Sequence, residues 1–151
     1  MDYSKAFNQY ERSDIETAGQ LDLIIMCYQK VILCLKQSKD HLENKIFDKK
    51  AHKVITALNI LNELQSNLNF DKGGQIAKSL DSLYTYLTSR IIIADIQKNF
   101  SIFDECINIL TELKSAWEGI KKEEKGEKEE LTPINNTAGQ EIRRLSHQIA
   151  V

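Results

Sequence analysis

Residues 21–35 read LDLIIMCYQKVILCL, an apolar stretch that only three polar residues interrupt. Its spacing predicts a helix, yet a helix on one core needs apolar residues at only about 3/7 of its positions. One face of this helix accounts for such a core, and it includes Ile24 and Tyr28. Two further apolar rows remain: Leu23, Cys27 and Cys34 in the second, and Met26 and Leu33 in the third. The sequence therefore predicts that something besides a single core covers this helix.

Three more stretches carry apolar residues at helical spacing. Together with the first they predict helices over about residues 20–44, 47–68 and 75–98, and from Ser101 as N-cap to about residue 120. The same spacing assigns the following residues to the core: Phe47 and Ile55 of the second helix, Leu80 and Leu87 of the third, and Trp117 of the fourth. The connection at 69–74 contains the Gly73–Gly74 pair and is predicted to be a turn. Helices of this length with short connections predict an all-α, antiparallel four-helix bundle. Helix three also carries surplus apolar surface, at Tyr86 and Ile93.

The 151 residues suffice for one domain and a tail. We expect a bundle over residues 1–121, with residues 1–18 as an N-terminal arm. Residues 122–151 are expected to form a charged linker and a short amphipathic tail helix. The apolar residues of that tail helix fall on one side: Ile142, Leu145 and Ile149.

Composition and motifs exclude several classes of function. A net charge of −2 argues against nucleic acid as a partner. The 21–35 run is too short for stable membrane insertion, which takes about 20 apolar residues. The three cysteines follow no metal-binding pattern and fit small apolar side chains in a reducing cytosol. No metal, phosphate or other cofactor motif and no catalytic constellation is found, which predicts a protein that is not an enzyme.

Two explanations of the surplus apolar surface stay open. A homodimer or a folded-back tail can cover it, or it can form a groove for an extended or helical client segment. A different class of function also stays in view: a regulatory bundle, including a histidine phosphotransfer protein that uses His52. In such proteins the histidine is typically followed by Lys-Gly, whereas β-branched residues follow Lys53 here.

Three blocks of sequence, in order, are similar to the FliS family, the flagellin-specific export chaperones of bacterial flagellar secretion. The first is Tyr10 with IETA at 15–18 and LIIMCY at 23–28. The second is SLDSLYTYL at 79–87 with IIA at 92–94, and the third is LTELKSAW at 110–117. The chain departs from the family's pattern at Gly19-Gln20, where the family has Ser-Pro, and at Asp95, where an Asn is common.

The resemblance implies a cytosolic chaperone that binds the disordered C-terminal segment of flagellin. It implies that premature polymerisation is blocked and that flagellin is delivered to the cytoplasmic domain of the flagellar type III export gate. An anti-sigma factor or a co-chaperone is a further partner that the family suggests. We predict that client contacts come from the second apolar rows: Leu23, Cys27 and Cys34 of helix one, and Tyr86 and Ile93 of helix three. Tyr10 and Ile15 are predicted to line the same groove or to fill it when the client is absent.

The tail carries a second hypothesis. Its apolar residues, Ile142, Leu145 and Ile149, can imitate the client and occupy the groove from within the same chain. The linker would hold them there at a high effective concentration. Deleting residues 131–151 is then expected to tighten flagellin binding, whereas a free, disordered tail would leave the affinity unchanged.

Overall fold

Apolar residues at helical spacing form four α-helices in the computed structural model, which describes residues 17–124 and Gly126. These are α1, Thr17–Glu43; α2, Phe47–Ser66; α3, Phe70–Gln97; and α4, Phe100–Glu124. Connections of two or three residues turn each helix back beside the one before it. The predicted all-α helical bundle is confirmed. The N-terminal arm and the tail beyond Gly126 lie outside the described residues.

Asparagine side chains mark where α3 and α4 begin. Asn69 Oδ1 accepts the backbone N–H of Lys72 at 3.0 Å, and Asn99 Oδ1 accepts that of Ile102 at 3.2 Å. Each bond satisfies one of the N–H groups that the first turn of a helix leaves unpaired. The prediction of Ser101 as the N-cap of helix four is therefore wrong, because Asn99 already caps this helix.

Gly74 interrupts α3 one turn after its start. Its backbone has φ 51° and ψ −128°, which is not helical, and glycine adopts a positive φ without steric cost. The predicted turn over 69–74 is thus replaced by one short helical turn followed by a kink. The regular part of α3 starts at Gln75, where the sequence places it.

The four helices form a square in which α1 lies diagonally opposite α3. Among the described residues, α1 packs against α2 and α4, and α3 packs against the same two helices. Ion pairs join α1 and α4 at both ends, Asp22 with Lys121 and Lys39 with Asp104. Asp22 lies early in α1 and Lys121 late in α4, whereas Lys39 lies late in α1 and Asp104 early in α4. The two helices therefore run antiparallel.

The centre of the bundle holds a polar contact between the diagonal helices. Tyr28 of α1 and Tyr84 of α3 are fully buried, and their hydroxyl oxygens lie 2.5 Å apart in a hydrogen bond. Trp117 of α4 is buried in the same core. The residues that the sequence assigns to the core are buried as predicted: Ile24, Tyr28, Leu80, Leu87 and Trp117.

The core face of α2 is turned from its predicted position. Phe47 and Ile55 were expected in the core but are exposed, so that part of the prediction is wrong. Lys50 is buried instead, with its side chain only 8% exposed. Its Nζ lies 2.9 Å from Asp95 Oδ1 and donates to the Asp95 backbone carbonyl at 3.3 Å. A lysine that pairs with a carboxylate on α3 can be buried at a position where the apolar pattern alone predicts a hydrophobic residue.

Asp95→Ala is expected to lower the free energy of unfolding by about 2 kcal/mol, because it leaves the buried charge of Lys50 without its anion. The loss stays below that of a fully buried pair since Asp95 is partly exposed. Urea denaturation measures it. Asp104→Ala, which breaks the exposed pair with Lys39, is the matched control and should cost less than about 1 kcal/mol. Equal losses in the two variants would contradict the role given to Lys50.

Candidate functional site

The second apolar row of α1 is covered by the bundle itself. Leu23, Cys27 and Cys34 are all buried. Burial raises the pKa of the Cys27 thiol to about 11, and the charge of Glu63 on α2 adds to this rise. Burial also raises the pKa of Cys34, and the charges of Lys30 on α1 and Lys53 on α2 partly oppose this rise. Both thiols therefore lie on the α2 side of α1, and most of the surplus apolar surface is explained by α1 packing between two neighbours.

Buried thiols make the bundle sensitive to alkali. Burial raises the pKa of Cys27 and of Cys106 from 9.0 to about 11. A thiol in the unfolded chain thus loses its proton first, so the stability gained from the neutral buried thiols is complete below pH 9 and is lost as the pH rises towards 11. The midpoint of urea unfolding should fall over this pH range. The double variant Cys27→Ala, Cys106→Ala should show a shallower fall, and an unchanged slope would contradict this account.

The third apolar row of α1 faces solvent. Met26 is 52% exposed and Leu33 is 47% exposed. They lie seven residues, or two helical turns, apart on the side of α1 that is turned away from the core. We call these two residues the α1 outer row. The sequence predicted this third row but did not show that Met26 and Leu33, rather than the residues of the second row, would be exposed.

On α3, the two predicted contacts differ in exposure. Tyr86 is exposed, and its hydroxyl donates to Glu105 Oε2 of α4 at 2.6 Å. Arg90 Nε donates to the other oxygen of Glu105 at 3.0 Å, and the two hydrogen bonds lower the pKa of that carboxyl. Ile93 is half-buried against the core. The hydroxyl of Tyr86 is thus held on α4 while part of its ring stays open to a partner.

The predicted contacts do not form one groove in this structure. Since α1 and α3 are diagonal, a partner that touches both must pass over α2 or α4. Tyr10 and Ile15 lie outside the described residues, as do the three tail residues Ile142, Leu145 and Ile149.

The register of α2 against α3 is fixed by polar contacts at two levels. Lys50 meets Asp95 towards one end, as described above. Towards the other end, Gln65 Nε2 donates to Asp81 Oδ1 at 2.8 Å. The two helices are therefore antiparallel and keep a constant register from Lys50 to Gln65 of α2.

An exposed apolar surface follows this seam, and the sequence did not predict it. We define the seam patch as Phe47 and Ile55 of α2 with Ile92 and Ile96 of α3. The register places Ile55 level with the turn of α3 that holds Ile92, and Ile96 one turn nearer to Phe47. Ile55 is 55% exposed and Ile96 is 73% exposed. The Lys98 ammonium lies 4.3 Å from the centre of the Phe47 ring and bounds the patch at that end.

His52 lies in a surface groove of about 290 Å³ between α1 and α2. The groove is lined by His41, Asp48, Lys49, His52 and Lys53. His52 is exposed among the basic side chains of this groove. The phosphotransfer alternative therefore gains no support from this geometry.

The described residues lack two other kinds of feature, a metal site and a membrane span. No group of three or more His, Cys, Asp and Glu side chains there is arranged to hold a metal ion. None of the four helices is both long enough and apolar enough to cross a bilayer. The exposed apolar surfaces remain as the candidate functional site.

Comparison with known proteins gives a family match along the bundle. The model of the family described as flagellar protein FliS matches residues 3–124. The flagellar secretion chaperone FliSB of Pseudomonas aeruginosa is 32% identical over 120 residues, which cover 77% of this chain and 95% of that protein. The FliS chaperone of Vibrio cholerae is 32% identical over 111 residues, or 74% and 82% of the two chains. That of Bacillus subtilis is 25% identical over 120 residues, or 79% and 89%.

Proposed function

Because the chain belongs to the FliS family of flagellar secretion chaperones, we propose that it binds the disordered C-terminal segment of flagellin and prevents premature polymerisation. Its place as a flagellar export chaperone follows from the family, and so does the general class of its partners, the substrates of flagellar export. The family is one of chaperones, not of enzymes. The resemblance seen in the three sequence blocks is confirmed.

The observation that carries the proposal is the seam patch. The bundle already has a complete core of its own, yet it leaves four large apolar side chains exposed along one seam. Exposed apolar surface of this kind is typical of a binding site in a soluble protein. A client segment that folds on binding would place apolar side chains against Ile55, Ile92 and Ile96, in the manner of an amphipathic helix in a groove.

The predicted contacts on α3 fit the same partner. Tyr86 offers an exposed ring held by Glu105 on the α4 side of α3. Ile93 lies two helical turns further along this helix, which also supplies half of the seam patch. A client can therefore follow α3 and touch both surfaces. Leu23, Cys27 and Cys34 stay predicted contacts that only an opening of the bundle beside α2 would uncover. Tyr10 and Ile15 stay predicted contacts of the N-terminal arm.

Delivery of the client is the second half of the proposal. We propose that the complex acts in the cytosol and brings flagellin to the cytoplasmic domain of the export gate. An anti-sigma factor or a co-chaperone is proposed as a further partner. These steps rest on the family and on no particular surface of the bundle.

Isothermal titration calorimetry with a flagellin C-terminal peptide tests the proposal. We expect binding with micromolar or tighter affinity and a negative heat-capacity change, because apolar surface is buried as the segment orders. A peptide of equal length from the N-terminal segment of the same flagellin is the control and should not bind. No binding of the C-terminal peptide at micromolar concentration, or equal binding of both peptides, would refute the proposed client.

A further inference from the structure

The α1 outer row has no place in the proposed function. Met26 and Leu33 lie on α1, away from the seam patch on α2 and α3. Residues 127–151 are likewise unused, because the family match ends at residue 124. We propose that the tail of this chain docks on the α1 outer row, with Ile142, Leu145 and Ile149 against Met26 and Leu33.

The point where α4 ends supports this occupant. Lys121, in the last turn of α4, pairs with Asp22, and Met26 follows Asp22 by one helical turn. The chain beyond Gly126 therefore starts beside the N-terminal half of α1. Leu33 is eleven residues past Asp22, or about 17 Å along the helix. The thirteen residues from 127 to 139 span up to about 45 Å when extended, so the amphipathic segment reaches the whole row.

The two apolar rows have the same length. Met26 and Leu33 are seven residues apart, and so are Ile142 and Ile149, with Leu145 between them. In helical form each row spans about 10.5 Å. A helical tail can thus place one apolar side chain at each end of the α1 outer row and a third at its middle.

Charge favours the antiparallel orientation. With Ile142 opposite Leu33, Glu141 lies towards Lys36, an exposed cation one turn further along α1. In the parallel orientation, Glu141 lies towards Asp22 instead, where two carboxylates would compete for Lys121. Opposite charges at such a rim set the orientation of docking more than its strength.

Met26 supplies a probe in the natural sequence, because the chain has only two methionines, Met1 and Met26. Hydrogen peroxide oxidises an accessible methionine to the sulfoxide. We expect Met26 to oxidise about 2- to 10-fold more slowly in the full chain than in a chain ending at Gly126, since a tethered segment near millimolar effective concentration fills a weak site in part. The full-length variant Leu145→Asp should behave like the shortened chain, and Met1 is the internal reference. Equal rates in all three chains would overturn the proposal.

Cross-linking tests the position of the tail. In the double variant Gln29→Cys, Ser146→Cys, a short bismaleimide should join the two thiols within one chain, because Gln29 is exposed beside the middle of the row. The matched control is Asn59→Cys with Ser146→Cys, which places an exposed thiol on α2. The natural cysteines are buried and react slowly. Equal cross-linking yields from both pairs would overturn the proposal. Covalent dimers as the main product would also overturn it, because they would assign the α1 outer row to a second copy of the chain.

Neither experiment contains flagellin, so the tail proposal can fail while the proposed function holds, and the reverse.

Discussion

Trp117→Ala is expected to lower the free energy of unfolding by about 3–5 kcal/mol, the typical cost of removing a large buried aromatic side chain. Trp117 is 1% exposed, and its ring lies in the core beside the tyrosine pair at the centre of the bundle. Helices on all sides hold that space open, so they collapse only partly around the cavity. Since a domain of this size has a total stability of about 5–15 kcal/mol, the loss is a large share of it.

Urea denaturation followed by circular dichroism measures this loss, and two further variants identify its cause. Trp117→Phe keeps most of the ring and should cost much less, because the indole N–H of Trp117 lies near the Tyr28 hydroxyl without well-formed hydrogen-bond geometry. Phe100→Ala removes an aromatic ring from the same helix where it is exposed and should cost less than about 1 kcal/mol. A loss after Trp117→Phe as large as after Trp117→Ala would show that the indole N–H, rather than ring volume, stabilises the core.

The sequence predicted the four helices because each has enough apolar residues at the helical period to show its core face. It failed at α2 because periodicity treats a lysine as solvent-facing. Lys50 is buried only because Asp95 lies opposite it on α3, and no pattern within α2 shows that neighbour. The true core face is therefore turned towards Lys50, and Phe47 and Ile55 move outwards.

The candidate surfaces were less predictable than the fold for a related reason. The sequence showed that α1 has three apolar rows but not which neighbours cover them. Two of the rows are covered since α1 packs between α2 and α4, and only Met26 and Leu33 remain open. The seam patch depends on the register of two helices, because Ile92 and Ile96 of α3 come beside Phe47 and Ile55 of α2 only in the folded bundle.

Helix boundaries show the same limit at a finer scale. Ser101 and Asn99 are both good N-cap residues, and sequence alone does not rank them. The structure does, because the side chain of Asn99 reaches the N–H of Ile102. Phe100 then becomes the first residue of α4, and the α3–α4 connection is reduced to two residues.

The seam patch gives the prediction with the largest expected effect on binding. In the double variant Ile55→Ser, Ile96→Ser, the affinity for the flagellin C-terminal peptide should fall by about 2–4 kcal/mol, or roughly 30- to 1,000-fold in Kd. Burying one isoleucine side chain fully contributes about 1.5–3 kcal/mol, and each tenfold change in Kd corresponds to about 1.4 kcal/mol. Both side chains are already more than half exposed, so only part of each value is gained on binding.

The same exposure makes the variant a clean test of the surface. Replacing exposed isoleucines should change the stability of the bundle by less than about 1 kcal/mol, which thermal unfolding can check before titration. The matched control is Met26→Ser with Leu33→Ser, which removes two apolar side chains of similar exposure from α1. We expect this control to bind the peptide within about threefold of the unaltered chain, because Met26 and Leu33 lie outside the seam patch. For comparison, a loss of about 1.4 kcal/mol would weaken binding tenfold. If the control loses affinity and the seam variant does not, the client binds α1, and the seam patch needs another partner.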